Sequence, residues 1–139
     1  EVRTSVARAV LPDTLPYDTA VNAAGRAAAL VIGLQTADSN ILAPALDDVL
    51  HVPFRRSLIR GYDSVTTAAI AAGAFGATLS GSGSTIVAVA HRDSADAVRD
   101  AALGAWRSAG VNVEAFITAA ELRGAVIDEV EASADRARK

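Results

Sequence analysis

Between Ala77 and Ala90 the chain reads ATLSGSGSTIVAVA. Two apolar runs flank a cluster of glycines and hydroxyls, and no other stretch restricts the fold as much. Runs rich in β-branched residues on either side of a Gly-Ser-Gly break predict strands over Thr78–Ser80 and Thr85–Ala90, closed into a β-hairpin. An antiparallel sheet follows, because parallel strands need a long crossover. Glycine supplies the positive φ that such a turn demands. The same residues admit a second reading. Glycines let backbone N–H groups approach an anion, and consecutive N–H groups form a nest for phosphate. A Walker loop, however, requires Lys before a helix. Lys139 is the one lysine in the chain, and a strand follows the glycines. Spacing alone therefore favours a turn, while a turn whose tip faces a site satisfies both readings.

The remaining elements are placed by periodicity and punctuation. Glu1 to Val10 reads as a short strand end and a helical turn, stopped by Pro12. Pro16 to Leu34 reads as a helix, with Pro16 in its first turn and Asp18 near its positive end. Ala20, Ala24, Ala27, Val31 and Leu34 form its expected inward stripe. Asn40 to His51 keeps helical spacing through Ile41, Ala45, Leu46 and Val49, until Pro53 interrupts it. Tyr62 to Ala72 is a third helix closed by Gly73. Ser94 is the expected cap of a fourth helix running to Ala109, with Val98, Ala102 and Ala105 inward and Gly110 as its stop. Val111 to Ile117 alternates like a strand, and Arg123 to Ile127 is a candidate for another. The expected fold class is α+β: an antiparallel sheet with helices packed on one face, related to ferredoxin-like folds. Residues 1–128 would form the domain and 129–139 a polar tail.

With 139 residues, the chain suits one domain with one core. Hydrophobic residues make up 51% of it and many are alanine, so close helix contacts through small side chains are expected. A net charge of -3 argues against a nucleic-acid binder, which would show a basic face. Without cysteine there is no disulfide framework, thiolate metal site or thiol nucleophile, which fits a cytoplasmic protein. No apolar run reaches membrane-spanning length uninterrupted, and no His, Asp and Glu cluster has metal-ligand spacing. The chain opens mid-pattern on Glu1, which reads as a piece of a longer protein.

Four segments carry a resemblance. GAFGATLSGSGSTIVAVA is similar to the third signature motif of the GHMP kinases. TSVARAVLP, DTAVNAAGRAAALVIGL and DDVLHVPFRRSLIRGYD resemble, in that order, three segments of the homoserine kinase branch of that family. The likeness runs from about Val2 to Ile127. It implies a ferredoxin-like C-terminal domain whose partner half, carrying the ATP loop of Gly-Leu-Gly-Ser-Ser type, is absent from this sequence. The parent would transfer a phosphoryl group from ATP, with Mg²⁺, to the hydroxyl of homoserine, a step toward threonine. The 139-residue piece would hold no cofactor tightly and would not turn over alone. Its partner is a small molecule, with neither nucleic acid nor membrane implied, and a homodimer is compatible with the likeness.

By motif match, Arg8 of Ala-Arg-Ala-Val-Leu-Pro and Arg55 of Pro-Phe-Arg stand where the family binds the amino-acid substrate. The chemistry suits them, since a planar guanidinium matches a carboxylate bidentately. Thr4, one helical turn before Arg8, would line the same pocket. Ser80, Gly81, Ser82, Gly83, Ser84 and Thr85 would form a loop beside the active site, shaping the cleft near the phosphates. No catalytic residue or metal ligand is identified. For Arg8 and Arg55 the plain alternative is a solvated surface charge. Asp18, Asn22 and Arg26 share a helix face that reads as salt-bridged, His51 reads as structural, His91 as exposed and Trp106 as packing. Ser84 and Arg60 stand where the pattern has proline, and Arg3 and Val6 also depart from it. Two other readings remain: a non-catalytic amino-acid-binding or dimerisation module, and another GHMP small-molecule kinase.

Overall fold

The structure, a computed structural model, describes residues 2–120 and 123–125. Helix α1 spans Thr4–Ala9, α2 Tyr17–Thr36, α3 Ser39–Ala45, α4 Val52–Arg55 and α5 Tyr62–Ala71. Strands β1 (Ala74–Leu79) and β2 (Ile86–Ala90) follow, and α6 (Ala95–Ser108) comes after a 3₁₀ turn at Arg92–Ser94. The strands form a two-stranded antiparallel sheet with Leu79 opposite Ile86 and Ala77 opposite Ala88.

The core lies between the sheet and the pair α5 and α6. Ile59, Tyr62, Val65 and Trp106 make one buried cluster, against which Leu79 and Ile86 pack. Ala69, Ala74 and Val98 make a second, flanked by Ala77 and Ala90. Each large side chain so buried contributes about 1.5–3 kcal/mol, and the alanines let the helices approach the sheet closely. Helix α6 carries Asp96 in its first turn and Arg107 in its last, which suits its dipole. At its end the Val111 N–H donates to the Trp106 carbonyl around the left-handed Gly110, a Schellman closure. Ser94 makes no side-chain cap bond to α6; it belongs to the preceding 3₁₀ turn instead, where its N–H donates to the His91 carbonyl.

Four other expectations are corrected. Residues 4–9 are helical, with Ala7 fully buried, where a strand end was expected. On α2 the covered positions are Thr19, Ala23, Arg26, Ala29, Leu30 and Gly33, while Ala20, Ala24, Ala27, Val31 and Leu34 face outward. The helix is apolar nearly all round, so its partner selects the face. It selects Gly33, where a Cβ would stand 2.9 Å from the Leu42 side chain of α3. The helix expected over Asn40–His51 breaks after Ala45. Pro44 removes a helical donor, and Asp48 Oδ1 accepts the N–H groups of Leu50 and His51 instead. Pro53 then opens α4 rather than ending a longer helix.

Finally, residues 111–117 form no strand, although their burial alternates: Val111, Val113 and Ala115 are half-buried, Asn112, Glu114 and Phe116 exposed. They have the period of a strand and no strand beside them. Arg123 to Ala125 are likewise outside any strand. The rest of the Arg123–Ile127 candidate and the 129–139 tail lie outside the described residues.

Candidate functional site

Arg55 ends α4 and points inward. It is 9% exposed, the buried charge of the described core. Its Nε donates to the Ala7 carbonyl at 2.9 Å and its Nη1 to the Gly81 carbonyl at 3.3 Å. One side chain thus ties α1 to the β1–β2 turn. No carboxylate lies within ion-pair distance of it among the described residues, and its Nη2 takes no protein partner there. A cation this buried is normally matched by an anion. Arg55 has carbonyl dipoles and a free amino group.

The sequence-derived candidates gather around it. Thr4 Oγ1 lies 3.4 Å from Ser82 Oγ, a second link between α1 and the turn. Arg8 follows Ala7 directly; its guanidinium is exposed and takes no hydrogen-bond partner among the described residues. The Ser80–Thr85 loop is a turn by construction, with Ser80 N–H donating to the Thr85 carbonyl. Gly81 and Gly83 have φ of +64° and +91°, which fits the sequence reading of glycines as the turn residues. The Gly83–Ser84 peptide bond is cis. The loop is less open than a free hairpin tip. Gly83 faces Ile59, whose Cδ1 would be 2.9 Å from an added Cβ, and Ser82 to Ser84 are half-buried. The phosphate-nest alternative loses its usual support, because a strand and not a helix follows.

Other polar residues sort away from this site. Arg26 bonds Asn22 Oδ1, the Pro44 and Asp47 carbonyls and, at 2.6 Å, Asp47 Oδ2, so it latches α2 to the end of α3. Asp18 instead accepts the N–H of Thr19. His51 Nδ1 lies 3.1 Å from Asp48 Oδ2, the structural role expected of it. His91 is exposed and meets the Phe75 ring edge-on, and Trp106 is core. Tyr62 escaped notice in the sequence. Burial raises its hydroxyl above the ordinary 10.0, helped by Asp48, Asp63 and Asp47; the nearby Thr78 hydroxyl opposes the shift. Thr78 Oγ1 is itself buried without a partner in hydrogen-bond geometry, so its influence on Tyr62 is electrostatic proximity and not a formed bond. Only the α-helical spacing of Tyr62 and Val65 hinted at the burial of the ring.

Residues 22–108 match the family described as GHMP kinases C terminal. The chain belongs to the GHMP kinases and carries their C-terminal region. Among named proteins it is similar to the homoserine kinase of a Synechococcus species, 41% identical over 129 residues, which is 93% of this chain and 42% of that enzyme. The homoserine kinase of Gloeobacter violaceus is 47% identical over 106 residues, 76% of this chain and 36% of the relative. The crystal structure of homoserine kinase from Cytophaga hutchinsonii superposes with a TM-score of 0.72 at 34% identity, over 78% of this chain and 35% of that one. The chain spans about two fifths of the length of the relatives it matches.

Proposed function

We propose that these residues are the substrate-binding part of an ATP-dependent kinase acting on homoserine, with Arg55 and Arg8 holding the substrate carboxylate. The observation that carries this reading is the buried Arg55 guanidinium, held by the Ala7 and Gly81 carbonyls with no counter-ion. Those two bonds fix its plane and leave Nη2 to meet an anion. Arg8, one residue along from Ala7, is the second, more flexible donor. Thr4 and Ser82 close the pocket from α1 and the turn. The relatives named homoserine kinase supply the substrate, a molecule with one carboxylate, one ammonium and the hydroxyl that accepts the phosphoryl group.

The chain's own contribution is positioning. A bidentate clamp on the carboxylate fixes where the hydroxyl lies, and orientation supplies much of the rate in phosphoryl transfer. Mg²⁺ would offset phosphate charge. Among the described residues, however, no three His, Cys, Asp or Glu side chains gather to hold a cation. Grip on ATP and its metal is therefore assigned to the part of the longer enzyme outside this sequence.

The test uses the longer enzyme. Arg8→Ala should raise the KM for homoserine by about 10- to 100-fold, the loss of a charge-assisted bond worth roughly 1.5–3 kcal/mol. The KM for ATP and the melting temperature should barely move, since Arg8 holds nothing in the fold. Equal rises in both KM values would remove Arg8 from the substrate site.

A further inference from the structure

A groove of about 280 Å³ runs beside β2. Its walls are Ile86 and Ala88 of β2, the facing sides of α5 and α6, and residues 113–116. No residue of β1 lines it, so it lies on the side of β2 away from β1. The Ser80 N–H to Thr85 carbonyl bond sets the alternation of the hairpin. Counting from it, Val87 directs its backbone groups to β1, and Ile86 and Ala88 direct theirs into the groove. Across the groove, 113–116 has strand-like alternation and no partner.

The point of entry is also given. A second hollow of about 260 Å³ is lined by Val2, and it shares Ser84, Trp106 and Val113 with the first. Val2 thus sits at the mouth of the groove, between the start of β2 and the start of 113–116. Both of those segments lead away from Val2.

We infer that the groove seats the stretch of the longer protein that immediately precedes Glu1, as an extended strand antiparallel to both walls. The sheet would then have four strands: β1, β2, the inserted strand and 113–117. The relatives are more than twice as long as this chain, and the matching family region is described as C terminal, which places the missing length on this side. The inserted strand needs both edges free, because it is walled on both. A second copy of this chain does not meet that condition, since its β2 already carries β1 on one edge. The segment should alternate, with apolar side chains turned to α5 and α6.

Amide hydrogen exchange compares the longer natural chain with the 139-residue chain. In the longer chain, the amides of Ile86, Ala88 and residues 113–116 should exchange about 100-fold more slowly or better. Val87, already directed at β1, should change much less. Equal rates in the two chains would overturn the inference. Protection that appears in the short chain with rising concentration, together with dimer formation, would also overturn it, by assigning the groove to a second copy.

Discussion

Burying a guanidinium costs several kcal/mol unless its N–H groups find oxygens, and Arg55 meets that demand with main-chain carbonyls alone. It is therefore part of the fold as well as of the proposed site. Arg55→Ala should destabilise the chain by about 1–3 kcal/mol, because the Ala7 and Gly81 carbonyls lose their donors. A denaturant midpoint measures this, and a change within about 0.5 kcal/mol would show that the two bonds carry no net stability. Arg8→Ala serves as the control that leaves both carbonyls paired. Tyr62 gives a second prediction at this scale. Its folded-state hydroxyl is raised above 10.0, chiefly by burial, so the unfolded chain releases that proton first. Stability from this group is complete below the unfolded value and is lost as pH rises from there through the folded value. Tyr62→Phe should flatten the alkaline loss between about pH 8 and pH 11, measured as the urea midpoint against pH. An unchanged slope would mean that the phenol is solvated in the folded state.

Among the elements, β1, β2, α5 and α6 were legible in the sequence because local signals and tertiary partners agree there. Glycines mark Gly73, the turn and Gly110, and the apolar period matches the face that is buried. Helix α2 shows why the rest was not. Its residues predict a helix but not a face, since Val21, Val31, Ile32 and Leu34 compete with Ala23, Ala29 and Gly33, and closeness to α3 decides for the small ones. The 111–117 segment failed as a strand for the opposite reason: its alternation is real, but a strand exists only with a neighbour. In the site, motif likeness pointed to Arg55, Arg8 and Thr4. That Arg55 would be held by the carbonyls of Ala7 and Gly81 was invisible, because main-chain acceptors leave no trace in side-chain identity. The α2–α3 contact is directly testable. Gly33→Ala places a methyl 2.9 Å from Leu42, which is 1% exposed and has little room to move. The variant should lose about 1–3 kcal/mol despite the better helix propensity of alanine. A gain in thermal melting temperature would show that propensity outweighs the clash and that the two helices can separate.

At the scale of the whole molecule, the question is whether the described residues hold what phosphoryl transfer needs. The reaction depends on a cradle for the phosphates, a cation and an oriented acceptor hydroxyl. The acceptor side has a candidate in Arg55, Arg8 and Thr4. The phosphate side does not: the Ser80–Thr85 turn leads into β2, so no helix N-terminus stands behind its N–H groups, and no lysine accompanies it, the chain's one lysine being Lys139. The described residues also gather no acidic cluster for a cation. We therefore expect the purified 139-residue chain to bind homoserine weakly and to show no ATP turnover above background. A coupled ADP-release assay reads the turnover, and NMR shifts of the Arg55 Nε–H on titration with homoserine read the binding. Sustained ADP release that depends on homoserine and disappears in Arg8→Ala would place the whole active site within these residues, and the division of labour proposed here would then be wrong. Binding without turnover would assign carboxylate recognition to this chain and phosphoryl activation to the length that its relatives have beyond it.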